Sequence, residues 1–190
     1  MWKLTVAGLL LLDECFKWIV LLVGKRVSWS YLPLHLCSMN LFFVVWHVWK
    51  PSRFLDNFLY TVCVPGAFAA LLFPSWLSLP VSSAMHIHSF TTHILLVLYP
   101  LVLTVSGEMK PDWRMIPQCI GLLIALAVPI FGLNRLLGTN FMFLMYAEPG
   151  NPLYLFEQMW GNHLLGFPVM IAGVLMIMHL PIALYRKRKK

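Results

Sequence analysis

The chain has 190 residues, 60% of them hydrophobic and only 11% charged, with a formal net charge of +7 at pH 7. A soluble domain carries roughly 25% charged residues, so the composition excludes a water-soluble enzyme and predicts an all-α, polytopic membrane protein. The basic excess does not point to nucleic acid, because much of it is the tail RKRKK, Arg186–Lys190, directly after an apolar run, the pattern of an anchor at an anionic leaflet.

At about 20 residues per crossing, the apolar runs predict six spans, at about 3–23, 31–49, 54–73, 85–105, 114–133 and 163–185. They form a single transmembrane domain over 1–190, a bundle with a re-entrant or interfacial segment before the last helix. The N-terminal run lacks an A-x-A-type cleavage site and is interrupted by Asp13, Glu14 and Lys17, so it reads as a retained first span. Lys3, Lys50, Arg53, Lys110, Arg114 and the tail collect on one side, against Lys25, Arg26 and Arg135 on the other. The positive-inside bias puts both termini in the cytoplasm, in the cell membrane. Trp2, Trp46, Trp49 and Trp113 fall at inner ends and Trp29, Trp76 and Trp160 at outer ends, while Trp18 lies deeper than an aromatic belt allows.

In the first span Asp13 and Lys17 are four apart and are expected to pair. Glu14 is then a lone mid-membrane carboxyl that requires a cavity or a histidine. The second span opens with LPLHLCSMN, Leu32–Asn40, which places a histidine, a cysteine and an asparagine within six residues. On a helix Cys37 and Asn40 share a face, whereas His35 lies about 200° away and is expected to face the outer loops. Pro65, Pro100, Pro117, Pro129 and Pro168 predict kinked helices around an internal cavity. The uncharged connection PSWLSLPVSS is expected to lie in the outer interface.

The fourth span begins MHIHSFTTH. His86 and His93 share a face but stand about 10.5 Å apart, and His88 points elsewhere, so these three do not form a metal site and no metal or cofactor is expected. His86 and His88 are expected at the interface, as are His47 and His179 at the inner ends. His93 lies deeper and needs a partner. Cys37 is six residues below Tyr31, about 9 Å, and His93 eight below Met85, about 12 Å. A thiol and an imidazole at similar depth on separate helices suit a Cys–His nucleophile pair; the spacing equally admits a structural cysteine and a backbone-bonded histidine. In the long connection Asn134–Asn162, the piece LLGTNFMFLMY is too short to cross. A re-entrant course would bring Asn140 toward Cys37 as an oxyanion donor.

LPLHLC at Leu32–Cys37, the later-helix His93, and GTNFMFL at Gly138–Leu144 followed by Pro149 resemble the bacterial YwaF-like integral membrane proteins, a family related to the eukaryotic transmembrane protein 164 family. The resemblance covers most of the chain from Tyr31 onward. It implies a multipass fold and phospholipid acyl transfer through Cys37, with His93 as its base. The expectation is thus a lipid acyltransferase or acyl hydrolase in the outer half of the bilayer. A membrane phospholipid would be the acyl donor, and a lysolipid or another alcohol or amine the acceptor. Asn40 and Asn140 would hold the oxyanion, His35 and His86 would line the substrate, and Glu14 would be a third proton-carrying group. The rival is a six-helix solute-binding or transport subunit of a vitamin or metal uptake system, with no catalysis.

Overall fold

The computed structural model describes residues 1–74 and 80–188, with side chains as far as Pro181. Half of the PSWLSLPVSS connection, with Trp76, and the side chains of the basic tail lie outside the described residues. Every described element is helical: α1 Trp2–Val23, α2 Leu36–Trp49, α3 Arg53–Phe58, α4 Val64–Leu72, α5 Ala84–Val105, α6 Ile116–Leu137, α7 Pro152–Trp160 and α8 Gly166–Arg188. Five stretches are long and apolar enough to cross a membrane: Trp29–Trp49, Arg53–Leu72, Ala84–Val105, Trp113–Leu137 and His163–Pro181. The chain is a multi-pass helical membrane protein.

The exception among the long helices is α1, which matches α5 at 22 residues but carries Lys3, Asp13, Glu14 and Lys17. Those charges are segregated. Glu14 and Lys17 are buried, while Leu9, Leu12, Phe16, Ile19 and Leu22 make an exposed, wholly apolar outer face. That is the orientation a membrane imposes, with polar groups toward the bundle and apolar ones toward lipid. α5 is the hub of the bundle, packed against α1, α2 and α4. Leu10, Leu41, Val44, Leu59, Leu96, Tyr99 and Leu103 fill the core between these helices.

At Pro100 and Pro65 neighbouring groups take up what the proline disturbs. Pro100 has no N–H to give the Leu96 carbonyl four residues back; the Cys63 thiol donates to that carbonyl instead, at 3.6 Å. Ahead of Pro65 the chain widens into a π-helical turn, Leu59–Cys63, and the Val64 N–H reaches back to the Leu59 carbonyl. The i→i+5 pairing lets α3 and α4 run as one span past the proline. Pro117 sits in the first turn of α6, where a missing N–H costs nothing.

Lys3 pairs with Glu108, and Arg53 with Asp112 at 2.5 Å. The starts of α1 and α3 and the end of α5 therefore share one end of the bundle, as the distribution of basic residues predicts. The Arg114 backbone N–H and the Arg53 guanidinium hold the Asp112 carboxyl below the usual carboxylate range. A cleft of about 550 Å³ opens here between Arg53, Asp56, Glu108, Lys110 and Asp112.

Above this end, His47 corrects the expectation of an interfacial histidine. It is 4% exposed; its Nε2–H donates to Asp56 Oδ1 at 2.7 Å, and its Nδ1 accepts from the Tyr99 hydroxyl at 2.7 Å. A carboxylate only accepts, which fixes the direction of this chain and joins α2, α3 and α5. His179 is likewise buried, with Nε2 3.1 Å from the Thr61 hydroxyl. Depth along the span misled in both cases, because a histidine near a helix end still enters the core when its face points inward.

Candidate active site between α1, α2 and α5

Cys37 lies in the first turn of α2. The backbone from Leu32 to His35 is not helical, and His35 is the N-cap with extended φ and ψ. The depth counted from Tyr31 along a helix therefore does not apply. Cys37 is half-buried, packs against the core and stands near Cys63. Its thiol makes no hydrogen bond among the described residues.

His93 is held by its own helix. Nδ1 donates to the Ser89 carbonyl at 2.6 Å, and since a carbonyl only accepts, the proton is on Nδ1 and the lone pair on Nε2. Nε2 has no hydrogen-bond partner among the described residues, and Cys37 and His93 are not bonded to each other. His35 links the two regions: it lies within electrostatic reach of both Lys17 and His93, so the start of α2 faces the His93 turn of α5.

Asn40, one turn beyond Cys37 on the same face, is completely buried, and neither its Nδ2 nor its Oδ1 has a partner. Orphaned groups of this kind are rare in native interiors and call for an explanation. His86 corrects the expectation of an interfacial residue. It is 5% exposed, stacks on Phe90 at 5.1 Å and leaves Nδ1 unpaired.

The carboxylates of α1 exchange the expected roles. Glu14, expected to be alone, takes Lys17, three residues on, and the Trp18 indole N–H at 3.1 Å. That bond also explains why Trp18 lies below the aromatic belt. Asp13, expected to pair with Lys17, instead accepts from the Thr92 hydroxyl at 2.5 Å. It also stands 2.9 Å from His88 Nδ1, a close approach outside hydrogen-bond geometry. Spacing on α1 alone could not choose between i,i+3 and i,i+4 partners; the polar face of α5 decides it.

The long connection does not cross. α6 ends at Gly138 in the left-handed region, φ 65°, and a short turn, Phe141–Phe143, tucks Phe141 fully into the interior. Asn134 holds this strap, its Oδ1 accepting from the Phe141 N–H at 2.8 Å and its Nδ2 donating to the Phe141 carbonyl at 3.0 Å. Irregular backbone at this depth is tolerated when such side chains satisfy it. The strap leans on His35, which sits edge-on to Phe141 at 5.2 Å and takes a long bond, 3.4 Å, from the Met142 N–H. His163 donates from Nε2 to the Phe143 carbonyl at 3.0 Å. The expectation that Asn140 aims its amide at Cys37 is not met. Its Oδ1 accepts from the Met145 N–H and its Nδ2 donates to the Tyr146 carbonyl, both at 3.0 Å, so the side chain is committed to its own turn. The cleft at the basic end includes neither Cys37 nor His93.

The chain matches the TMEM164 family over residues 1–179. It belongs to that family. The match includes the first helix, which the sequence resemblance had left out, so α1 and its buried charges are part of the family's domain. Neither a curated protein nor a solved structure matches the chain.

Proposed function

We propose that this TMEM164-family protein, of the bacterial YwaF-like kind, is a membrane-embedded lipid acyltransferase or acyl hydrolase in which Cys37 is the nucleophile and His93 the base. The observation that carries the reading is the His93 tautomer. The Ser89 carbonyl fixes the proton on Nδ1 and leaves Nε2 as a free acceptor, the state a general base must have. It is joined by an unpaired thiol on the facing helix and by the orphaned Asn40 amide one turn away.

A phospholipid enters sideways from the outer half of the bilayer with its ester at Cys37. The thiol proton passes to His93 Nε2 as the sulfur–carbon bond forms; in an apolar setting a free thiolate is costly, so the two events are concerted. The Asn40 Nδ2–H donates to the tetrahedral oxyanion. The ester carbon–oxygen bond then breaks, the leaving alkoxide takes the proton from His93, and an acyl-cysteine remains. A lysolipid or another alcohol or amine next gives its proton to His93 and attacks the thioester. The carbon–sulfur bond breaks, and the thiolate recovers the proton. With water as acceptor the same sequence is hydrolysis.

The test is lipid mass spectrometry on the purified protein in vesicles holding a labelled phospholipid and an unlabelled lysolipid. Cys37→Ser and His93→Ala are expected to abolish label transfer. Unchanged exchange in both would sink the mechanism.

A further inference from the structure

We infer that Asp13 is the counter-charge and positioning residue of His93, the third group of the proposed site in place of Glu14. The inference rests on the Cys37–His93 reading above.

Charge balance singles out Asp13. Glu14 and Lys17 neutralise each other within hydrogen-bond contact. Of the groups that face this region, from α1 (Asp13, Glu14, Lys17), α2 (His35, Cys37) and α5 (His86, His88, His93), the Asp13 carboxylate is, with the imidazoles and the thiol neutral, the one formal charge left over. An isolated buried carboxylate is strongly disfavoured. It is sustained by the Thr92 hydroxyl and by the His88 ring beside it. Transfer of the Cys37 proton to His93 creates an imidazolium one residue along α5 from Thr92, which holds this anion, so positive charge develops on the helix that the carboxylate binds.

Geometry supplies the positioning. His88 and Thr92 are four apart and share one face of α5, and Asp13 binds both, pinning that face to α1. His93 is the next residue after Thr92, about 100° round the helix. With the α1 face fixed, the His93 ring is carried toward α2, whose first turn holds Cys37 and whose N-cap, His35, lies within its electrostatic reach. His88 is also within electrostatic reach of His93, so the carboxylate acts on the base through two neighbours rather than by direct contact.

The experiment is steady-state acyl transfer by the full chain in vesicles, with Asp13→Asn, Thr92→Val and Cys37→Ser, and melting temperatures taken on each. An asparagine still accepts from Thr92, so Asp13→Asn removes charge and keeps the tether; Thr92→Val does the reverse. Asp13→Asn is expected to lower kcat about tenfold or more with KM within about twofold, and to move the acid limb of the pH–rate profile downward, because an imidazole that has lost a neighbouring anion holds its proton less well. Thr92→Val is expected to lower kcat severalfold and leave the acid limb in place. With Cys37→Ser inactive, an Asp13→Asn protein at near wild-type kcat and an unmoved limb overturns the assignment while the Cys37 mechanism stands. If Asp13→Asn does not fold, an unchanged kcat in Thr92→Val overturns it. Cys37→Ser at wild-type activity removes the reaction itself and this role with it.

Discussion

Replacing Asn40 by leucine separates substrate binding from packing at the candidate site. Asn40 is completely enclosed, and both amide atoms lack partners. Each orphaned polar group costs about 1–3 kcal/mol, so removing two recovers roughly 2–6 kcal/mol. Leucine is close in length but has a bulkier end, and overpacking costs about 1–3 kcal/mol. Asn40→Leu is therefore expected to be more stable than the wild type by about 2 kcal/mol, the difference between the midpoints of the two ranges. At roughly 2–4 °C per kcal/mol for a chain of this size, its melting temperature in detergent should rise by several degrees. Acyl transfer should fall, because the donor to the oxyanion is gone; loss of one such donor costs about a hundredfold or more. A melting temperature lowered by the equivalent of about 2 kcal/mol would show that the amide is bonded and structural. Stabilisation with undiminished transfer would show that it does not touch the reacting group.

Three further outcomes follow from groups away from Cys37. His47→Ala leaves the Tyr99 hydroxyl unpaired in the core and removes the partner of Asp56, and is expected to destabilise the protein by about 2–5 kcal/mol in a denaturation series. Met142 and Phe143 occupy the left-handed region at φ 57° and 55° without being glycine; Met142→Gly relieves strain of about 1 kcal/mol, so a strap made more resistant to limited proteolysis is the expected result. The Asp112 carboxyl is held below the ordinary carboxylate value of about 3.9, so it stabilises the fold above that pH and loses the contribution as pH falls through its lowered value. The stability gap between wild type and Asp112→Asn should thus be present at pH 7 and close on acidification; a gap that is independent of pH refutes the argument.

Much of the scaffold is legible in the sequence because lipid makes composition decisive. Runs near 20 apolar residues locate the helices, and basic residues gather the starts of α1 and α3 and the end of α5 at one end, as the Lys3–Glu108 and Arg53–Asp112 pairs bear out. Side-chain partnerships are less legible, since they depend on which neighbour a helix face meets. On α1 alone Asp13 could equally serve Lys17, and only the polar face of α5, some 75 to 80 residues on, draws it to Thr92 and His88. Asn140 lies in a stretch correctly read as non-crossing, yet its turn consumes the amide that was expected at Cys37. The buried Asp56–His47–Tyr99 chain has a sequence signal that could have been used: His47 falls three residues after Val44 and seven after Asn40, on one inward face of α2.

The segregation of charge on α1 also bears on how the protein is made. At the centre of an inserting helix, aspartate and lysine each oppose partition into lipid by about 2.5–3.5 kcal/mol, and α1 carries Asp13, Glu14 and Lys17 within five residues. The Glu14–Lys17 pair can close within the helix, but the partners of Asp13 belong to α5, which ends at Val105. If α1 is the first span that the sequence predicts, it must either wait at the translocon, or sit in the bilayer with an unsatisfied carboxyl, until another 80 residues or so have been added. Release of the first helix into lipid is then coupled to arrival of the fifth, so the proposed site is assembled in the same event that makes insertion of the N-terminal helix stable.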